Sequence, residues 1–288
     1  MAAPGALTSG ILDAHAHVWD PGTLRYPWLD GHPALARARL PSELDDAAGR
    51  VSGWVFVEAD ARIEDAQAEV EWVAALEWRG LAGLVAHVDL ADPALGQALD
   101  GFAAHPLVCG VRATLQNRPV GHLRESAVGR GLAAVAARGL VFDACVRAGQ
   151  LDELASALER VPDLPVVIDH LGKPPIAQGV HSEAGAAWER AWRRLAGLPA
   201  VHVKCSGFAA EVADHDLLRA HVPGFLAVTA RLFGSRRCMF GSDWPVSGVD
   251  AGGLSTAQAI DIVGAAFAPQ EHVAVFGGTA RRFYGLSG

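Results

Sequence analysis

Ile11-Leu12-Asp13-Ala14-His15-Ala16-His17-Val18-Trp19-Asp20 is an apolar run that closes on two histidines spaced two apart. Successive side chains of an extended chain point to opposite faces, so His15 and His17 project to one side at the strand's exit. Two imidazoles aimed together can hold a metal ion or polarise a carbonyl. Twelve histidines in the chain make such a pair a modest signal by itself. Its weight comes from a second run far downstream, Cys238-Met239-Phe240-Gly241-Ser242-Asp243-Trp244-Pro245, again strand-like and ending in a carboxylate before a turn. First and last strands become neighbours only if the sheet closes.

Between these two runs the chain alternates short apolar segments with helical spacing. Strands are expected at 11–18, 51–58, 84–89, 108–112, 140–146, within 164–168, at 200–207 and at 238–241. Helices are expected at 63–79, 93–104 with Asp92 as cap and Pro93 first, 123–138 closed by Gly139, 150–160, 183–195, 214–233, 255–267 and 269–276. Apolar runs without clean alternation belong to parallel strands buried on both faces, and eight strand–helix units make a (β/α)8 TIM barrel. A doubly wound open sheet is the alternative; it ordinarily shows a phosphate-binding glycine turn after its first strand, where this chain has His-Ala-His.

Composition agrees with a single α/β domain over residues 1–288. The 288 residues are 51% hydrophobic, enough for one large barrel, and no linker or low-complexity tract divides them. A net charge of −8 without a basic stripe argues against nucleic acid as a partner. Met1 to Gly10 lacks the charged and apolar regions of a leader, and no stretch has 18 uncharged apolar residues, so the expectation is a soluble cytoplasmic protein with no membrane partner. Cys109, Cys145, Cys205 and Cys238 are widely spaced and each falls in an expected strand, which reads as buried reduced thiols. A homo-oligomer stays open.

Catalytic residues of a barrel sit at the carboxyl ends of its strands. Those ends carry His15 and His17, Glu58, His87 and Asp89, Arg112, Asp143 and Arg147, Asp169 and His170, Lys204 and Ser206, and Asp243. His87, Asp89, Asp143, Asp169 and Arg147 are read as structural. Three imidazoles and one carboxylate converging from strands one, six and eight suit the activation of water beside a polarised carbonyl. No G-x-S-x-G elbow is present to support a serine nucleophile.

His15-Ala16-His17 with Trp19-Asp20, Pro27-Trp28-Leu29, Ile168-Asp169-His170-Leu171-Gly172-Lys173-Pro174, Met239 to Pro245, and Phe276-Gly277-Gly278-Thr279-Ala280 together resemble the amidohydrolase superfamily. The likeness is to its branch of lactonases, which includes L-fuconolactonase, L-rhamnonolactonase and 2-pyrone-4,6-dicarboxylate lactonase. It spans nearly the whole chain. The resemblance implies a barrel hydrolase in which His15, His17 and His170 bind a divalent metal or the lactone carbonyl, while Asp243 acts on the nucleophilic water. Many metal-dependent members have a further histidine at the end of strand five and some a lysine at strand four, where this chain has Cys145-Val146-Arg147 and Arg112. At most one ion is therefore expected, held by His15, His17, His170 and Asp243, with zinc suiting that donor set; a metal-independent route is the alternative.

The partner is expected to be a small-molecule lactone. A dianionic substrate calls for several guanidinium groups, because an unpaired buried anion is costly. The strand ends offer mainly Arg112, with Glu58 as an acceptor for sugar hydroxyls, so a neutral sugar lactone is favoured over a carboxylated pyrone or muconolactone. Glu58, Arg112, Trp28 and Lys204 are the expected substrate contacts. A decarboxylase or a C–N hydrolase would use the same four catalytic groups.

Overall fold

Short β-branched and small apolar segments form eight strands in the computed structural model, which describes residues 10–212, 214–248 and 253–287. They are β1 (Ile11–Ala16), β2 (Val51–Val57), β3 (Leu81–His87), β4 (Val108–Thr114), β5 (Val141–Cys145), β6 (Val166–Ile168), β7 (Val201–Cys205) and β8 (Cys238–Phe240). Every neighbouring pair is parallel and the order follows the chain from β1 to β8. The single-domain TIM-barrel expectation holds for the fold. The amino-terminal stretch read for a leader lies, Gly10 apart, outside the described residues.

The seam between β8 and β1 closes just beyond the regular strands. Ala16 bridges Trp244 in parallel, the His17 N–H donates to the Trp244 carbonyl at 2.8 Å, and the Asp243 N–H donates to the His15 carbonyl at 2.8 Å. Below them the buried carboxylate of Asp13 accepts the N–H groups of His15 at 3.0 Å and of Ser242 at 2.9 Å. A side chain thus finishes the closure that backbone pairing leaves incomplete, and it satisfies donors that would otherwise be orphaned inside the barrel.

Helices pack outside the strands: α1 (Ala66–Ala74), α2 (Leu95–Ala104), α3 (Ser126–Ala136), α4 (Leu151–Leu158), α5 (Glu183–Ala196), the single turn α6 (Phe208–Glu211), α7 (His215–Phe233), α8 (Thr256–Gly264) and α9 (Thr279–Tyr284). One large apolar layer lies between strands and helices. A smaller one fills the barrel with Leu12, Ala14, Val55, Val57, Val85, Val167 and Met239, and Phe283 and Tyr284 of α9 join it.

Several expected helices start late or end early. The run from Ile63 begins as a 3-10 turn, Ile63–Asp65, and α1 stops at Ala74. Asp92 caps a turn by accepting the Ala94 N–H at 2.7 Å, and α2 starts only at Leu95. Residues 269–276 are helical but not a uniform α-helix: a 3-10 turn at Pro269–Glu271 runs on into a π-helical turn at Ala274–Gly278. The four cysteines are free, and three of them are buried. Among the described residues no helix is long and apolar enough to cross a membrane.

Candidate active site

His15 is the last but one residue of β1, His17 follows the strand, His170 comes two residues after β6 and Asp243 three after β8. Their side chains meet at one point. The Nε2 atoms of His15 and His17 are 3.1 Å apart, and Asp243 Oδ1 lies 3.6 Å from His15 Nε2, 3.4 Å from His17 Nε2 and 3.7 Å from His170 Nε2. The four residues that the sequence pointed to are therefore gathered together, and all four are buried.

The backbone bends sharply to achieve this. His170, Leu171 and Lys173 have φ of 55°, 55° and 50°, and Asp243 has 59°. Left-handed backbone costs a residue with a Cβ roughly 1–2 kcal/mol, and such strain persists only where the surroundings impose it. Gly207, itself at φ 70°, supplies the room: a Cβ there would sit 2.2 Å from His170 Nδ1. Gly241 does the same for His15, whose Cβ a side chain at 241 would meet at 2.6 Å.

Each imidazole is held from behind by its other nitrogen, the usual way a ligating histidine is oriented. His17 Nδ1 lies 2.8 Å from the Val57 carbonyl, which can only accept, so His17 Nδ1 carries the proton and Nε2 offers a lone pair. His170 Nδ1 meets Ser206 Oγ at 2.9 Å. His15 Nδ1 is 3.3 Å from Asp169 Oδ1 and 3.0 Å from Lys204 Nζ, so a proton on Nδ1 has a carboxylate acceptor. Asp243 Oδ2 accepts the Ser247 hydroxyl at 2.6 Å, leaving Oδ1 to face the three rings.

Burial sets the charges. It lowers the His15 imidazole well below its usual range, with Lys204 adding to the effect, and it brings His170 down to about 4 against the pull of Asp243 and Asp169. Burial would raise the Asp243 carboxyl, but the neighbouring His170, His17 and His15 outweigh it and hold the group well below the ordinary carboxylate range. At neutral pH, neutral His15 and His170 share the centre with an anion. Donors around a tetrahedral zinc at about 2.0–2.1 Å are roughly 3.3–3.4 Å from one another. His15, His170 and Asp243 offer donor atoms that all lie within 4.8 Å of one another, a set that could hold one divalent cation, and His17 Nε2 stands beside it at 3.1 Å from His15 Nε2 and 3.4 Å from Asp243 Oδ1. Among the described residues the other cluster of suitable donors is Glu58, Asp60 and His87.

Lys204, expected on the substrate, lies elsewhere. Its side chain has no exposure and runs inside the barrel beneath His15, where Nζ meets Asp143 Oδ2 at 2.5 Å and Asp169 Oδ1 at 3.2 Å. Tyr284 of α9 also donates to Asp143 Oδ2, at 2.8 Å. The ammonium neutralises two buried carboxylates, a pairing that such burial demands. Glu58 is likewise withdrawn: it is fully buried, bonded by Arg112 Nε, the Asp60 N–H at 2.6 Å and Thr114 Oγ1 at 3.2 Å. Burial would raise its carboxyl, yet Arg112 and His87 bring it to about 2. Glu58 thus orients Arg112 instead of reaching a sugar hydroxyl.

A cavity of about 520 Å³ opens above the four-residue centre. His17, His170 and Asp243 form part of its lining, and Trp19, Trp28 and His32 another part. Trp28 is fixed by its Nε1–H on the Ala59 carbonyl at 2.7 Å, with its ring edge-on to Trp19. Arg112, Arg147 and Lys173 bring positive charge to the cavity, and each is answered. Lys173 and Arg147 reach Glu211 at 2.9 and 3.3 Å, and Arg112 pairs with Glu58 and with Asp169 at 3.4 Å. Arg147, read as structural from sequence, is therefore a cavity residue. Cys145, at the end of β5, also lines the cavity.

Asp13, Ser206, Gly207, Glu211 and Ser247 serve the site without having been singled out for these roles by the sequence. Only the position of Ser206 and Gly207 at a strand end gave a signal; nothing in periodicity distinguishes the others.

A profile of the family described as Amidohydrolase matches residues 12–286. The chain is 32% identical over 286 residues to an L-fucono-1,5-lactonase of Burkholderia ambifaria, an alignment that covers 95% of this chain and 94% of that one. It is 25% identical to an L-rhamnono-gamma-lactonase of Scheffersomyces stipitis, covering 84% and 87% respectively. Among solved structures, an amidohydrolase from Burkholderia multivorans with bound zinc superposes with a TM-score of 0.85 at 29% identity, covering 97% of this chain and all of that one.

Proposed function

Given that the chain belongs to the amidohydrolase family, as the match over residues 12–286 shows, we propose that it is a lactonase that opens a neutral sugar lactone such as L-fuconolactone. The convergence of three imidazole Nε2 atoms on Asp243 Oδ1, at the base of a cavity whose charges are already paired, carries this reading. The similarity to the L-fucono-1,5-lactonase supports it, and the zinc of the Burkholderia multivorans structure supports one divalent ion at His15, His17, His170 and Asp243.

The ester carbonyl of a lactone ring is already electrophilic, so attack by water needs no covalent enzyme intermediate. Asp243 Oδ1 takes a proton from the attacking water, and the same carboxyl returns it to the ring oxygen as the acyl C–O bond breaks. The ring opens to a hydroxy acid. A divalent ion, when bound, supplies Lewis acidity for the carbonyl oxygen. Ser247 keeps the carboxylate aimed, and the Val57 carbonyl and Ser206 keep His17 and His170 turned inward. Arg112, oriented by Glu58, contacts the substrate's polar edge, and Trp28 packs on a ring face. An unpaired carboxylate on the substrate would have to compete with Glu211 for Lys173 and Arg147, which disfavours dicarboxylated lactones.

A pH-indicator hydrolysis screen over aldonolactones and carboxylated lactones, with and without added metal, tests the proposal. Turnover of aldonolactones is expected. A kcat/KM for a carboxylated pyrone or muconolactone well above that for every aldonolactone would overturn the substrate class.

A further inference from the structure

Beside the main cavity lies a second, of about 310 Å³, at the carboxyl ends of β2, β3 and β4. Asp60, Thr114 and Asn117 border both, so the two spaces adjoin. We infer that this annex is a binding subsite for a second hydroxylated ring, making a glycosylated aldonolactone the preferred substrate. The inference rests on the lactonase reading above and deepens it.

Three observations carry it. Ligand cavities for molecules of drug size run about 300–1,000 Å³, so the main cavity alone accommodates a single sugar ring and the annex is additional room. The annex also has the mixed lining that hydroxylated rings need. His87 has Nδ1 engaged by the Ala61 carbonyl at 3.1 Å, so its Nε2 faces Asp60 Oδ1 at the longer distance of 3.9 Å. Asp60 is more than a third exposed and its carboxylate accepts sugar hydroxyls, while the Asn117 amide offers both donors and an acceptor. Finally, the annex wall presents an apolar side chain: Ile63, one of the three large hydrophobic residues exposed among the described ones, lines it at 41% exposure. Such a side chain suits the C–H face of a pyranose.

The same groups are less apt for a metal ion. Of the Glu58, Asp60 and His87 cluster, Glu58 is committed to Arg112, the Asp60 N–H and Thr114. That leaves two donors, Asp60 and the free His87 nitrogen, which is few for a cation and enough for a neutral hydroxyl.

Matched pairs of substrates test the inference: gluconolactone against cellobionolactone, and galactonolactone against the same lactone carrying one linked sugar, each corrected for spontaneous hydrolysis. The wild-type protein should favour the glycosylated member by about tenfold in kcat/KM, the equivalent of about 1.4 kcal/mol. Ile63→Trp, at a partly exposed position that lines the annex and not the main cavity, should abolish that preference while leaving single-ring turnover within about twofold. Ile63→Arg should act in the same direction. Single-ring lactones turned over as well as their glycosylated counterparts, or a preference that survives Ile63→Trp, would overturn the subsite and leave the lactonase reading standing. Hydrolysis of no lactone at all would overturn both.

Discussion

Asp243→Asn is the most direct test of the chemistry. The substitution keeps the shape of the side chain. One amide position still faces the three imidazoles, and the other meets Ser247, whose hydroxyl can accept as well as donate, so the 2.6 Å contact is replaced instead of lost. What disappears is the capacity to take a proton at the one oxygen within 3.4–3.7 Å of all three Nε2 atoms. Loss of a general acid or base costs about 10² to 10⁴ in rate, or roughly 3–5 kcal/mol of transition-state stabilisation. The expected result is that fall in kcat for L-fuconolactone in the pH-indicator assay, with an unfolding midpoint close to wild type. Elemental analysis of the same sample separates the two ways of losing activity, since a neutral amide is also a poorer metal ligand. A variant with kcat within about threefold of wild type would show that Asp243 is not the base.

Further outcomes follow from the surroundings of that carboxylate. The purified protein should hold one equivalent of divalent metal, removable by a chelator with loss of turnover; two equivalents by elemental analysis would contradict the single donor set. Lys204→Met strands Asp143 and Asp169 in the barrel, and breaking a buried pair in this way costs about 3–5 kcal/mol, readable as a lower urea midpoint; an unchanged midpoint would show the ammonium to be dispensable. Gly207→Ala places a Cβ against His170 at φ 70° and should depress kcat more than it depresses thermal stability. Burial holds His170 at about 4, below its ordinary 6.5, so the unfolded chain takes up a proton between those values where the fold does not. In the metal-free protein its stability contribution is present above about pH 6.5 and lost as pH falls towards 4, readable as a urea midpoint that declines over that window; a midpoint unchanged between pH 6.5 and 4 would contradict the burial effect.

The barrel and its candidate centre were legible because both rest on local pattern. Eight apolar runs separated by helical spacing specify parallel strands, and His15, His17, His170 and Asp243 are strand-end residues whose positions follow once the sheet is closed. Glu58 and Lys204 show where that reasoning stops. Alternation tells which side chains face the interior, but not how deep they sit, and Lys204, on the inner face of β7, is reached by Asp143 and Asp169 before any substrate is. Glu58 has its oxygens taken by Arg112, Thr114 and the Asp60 backbone, partners that come together only in three dimensions. Helix ends were misplaced at residues 63–79 and 269–276 because capping and turn geometry respond to the packed neighbours. Glu211, on a four-residue turn, has no periodicity to betray it.

The Asp13 junction has a bearing on how the molecule acquires its chemistry. It ties the Asp13 carboxylate to a backbone group 229 residues further along the chain, so it is among the contacts of greatest sequence separation, the kind whose loop-closure entropy is met late in folding. The first four strands carry His15 and His17, and the last four carry His170 and Asp243. Neither half of the polypeptide owns a working centre. Separately expressed halves are expected to be inert until they reassociate, and recovery of turnover should coincide with formation of this one junction, making catalysis itself a reporter of completed topology.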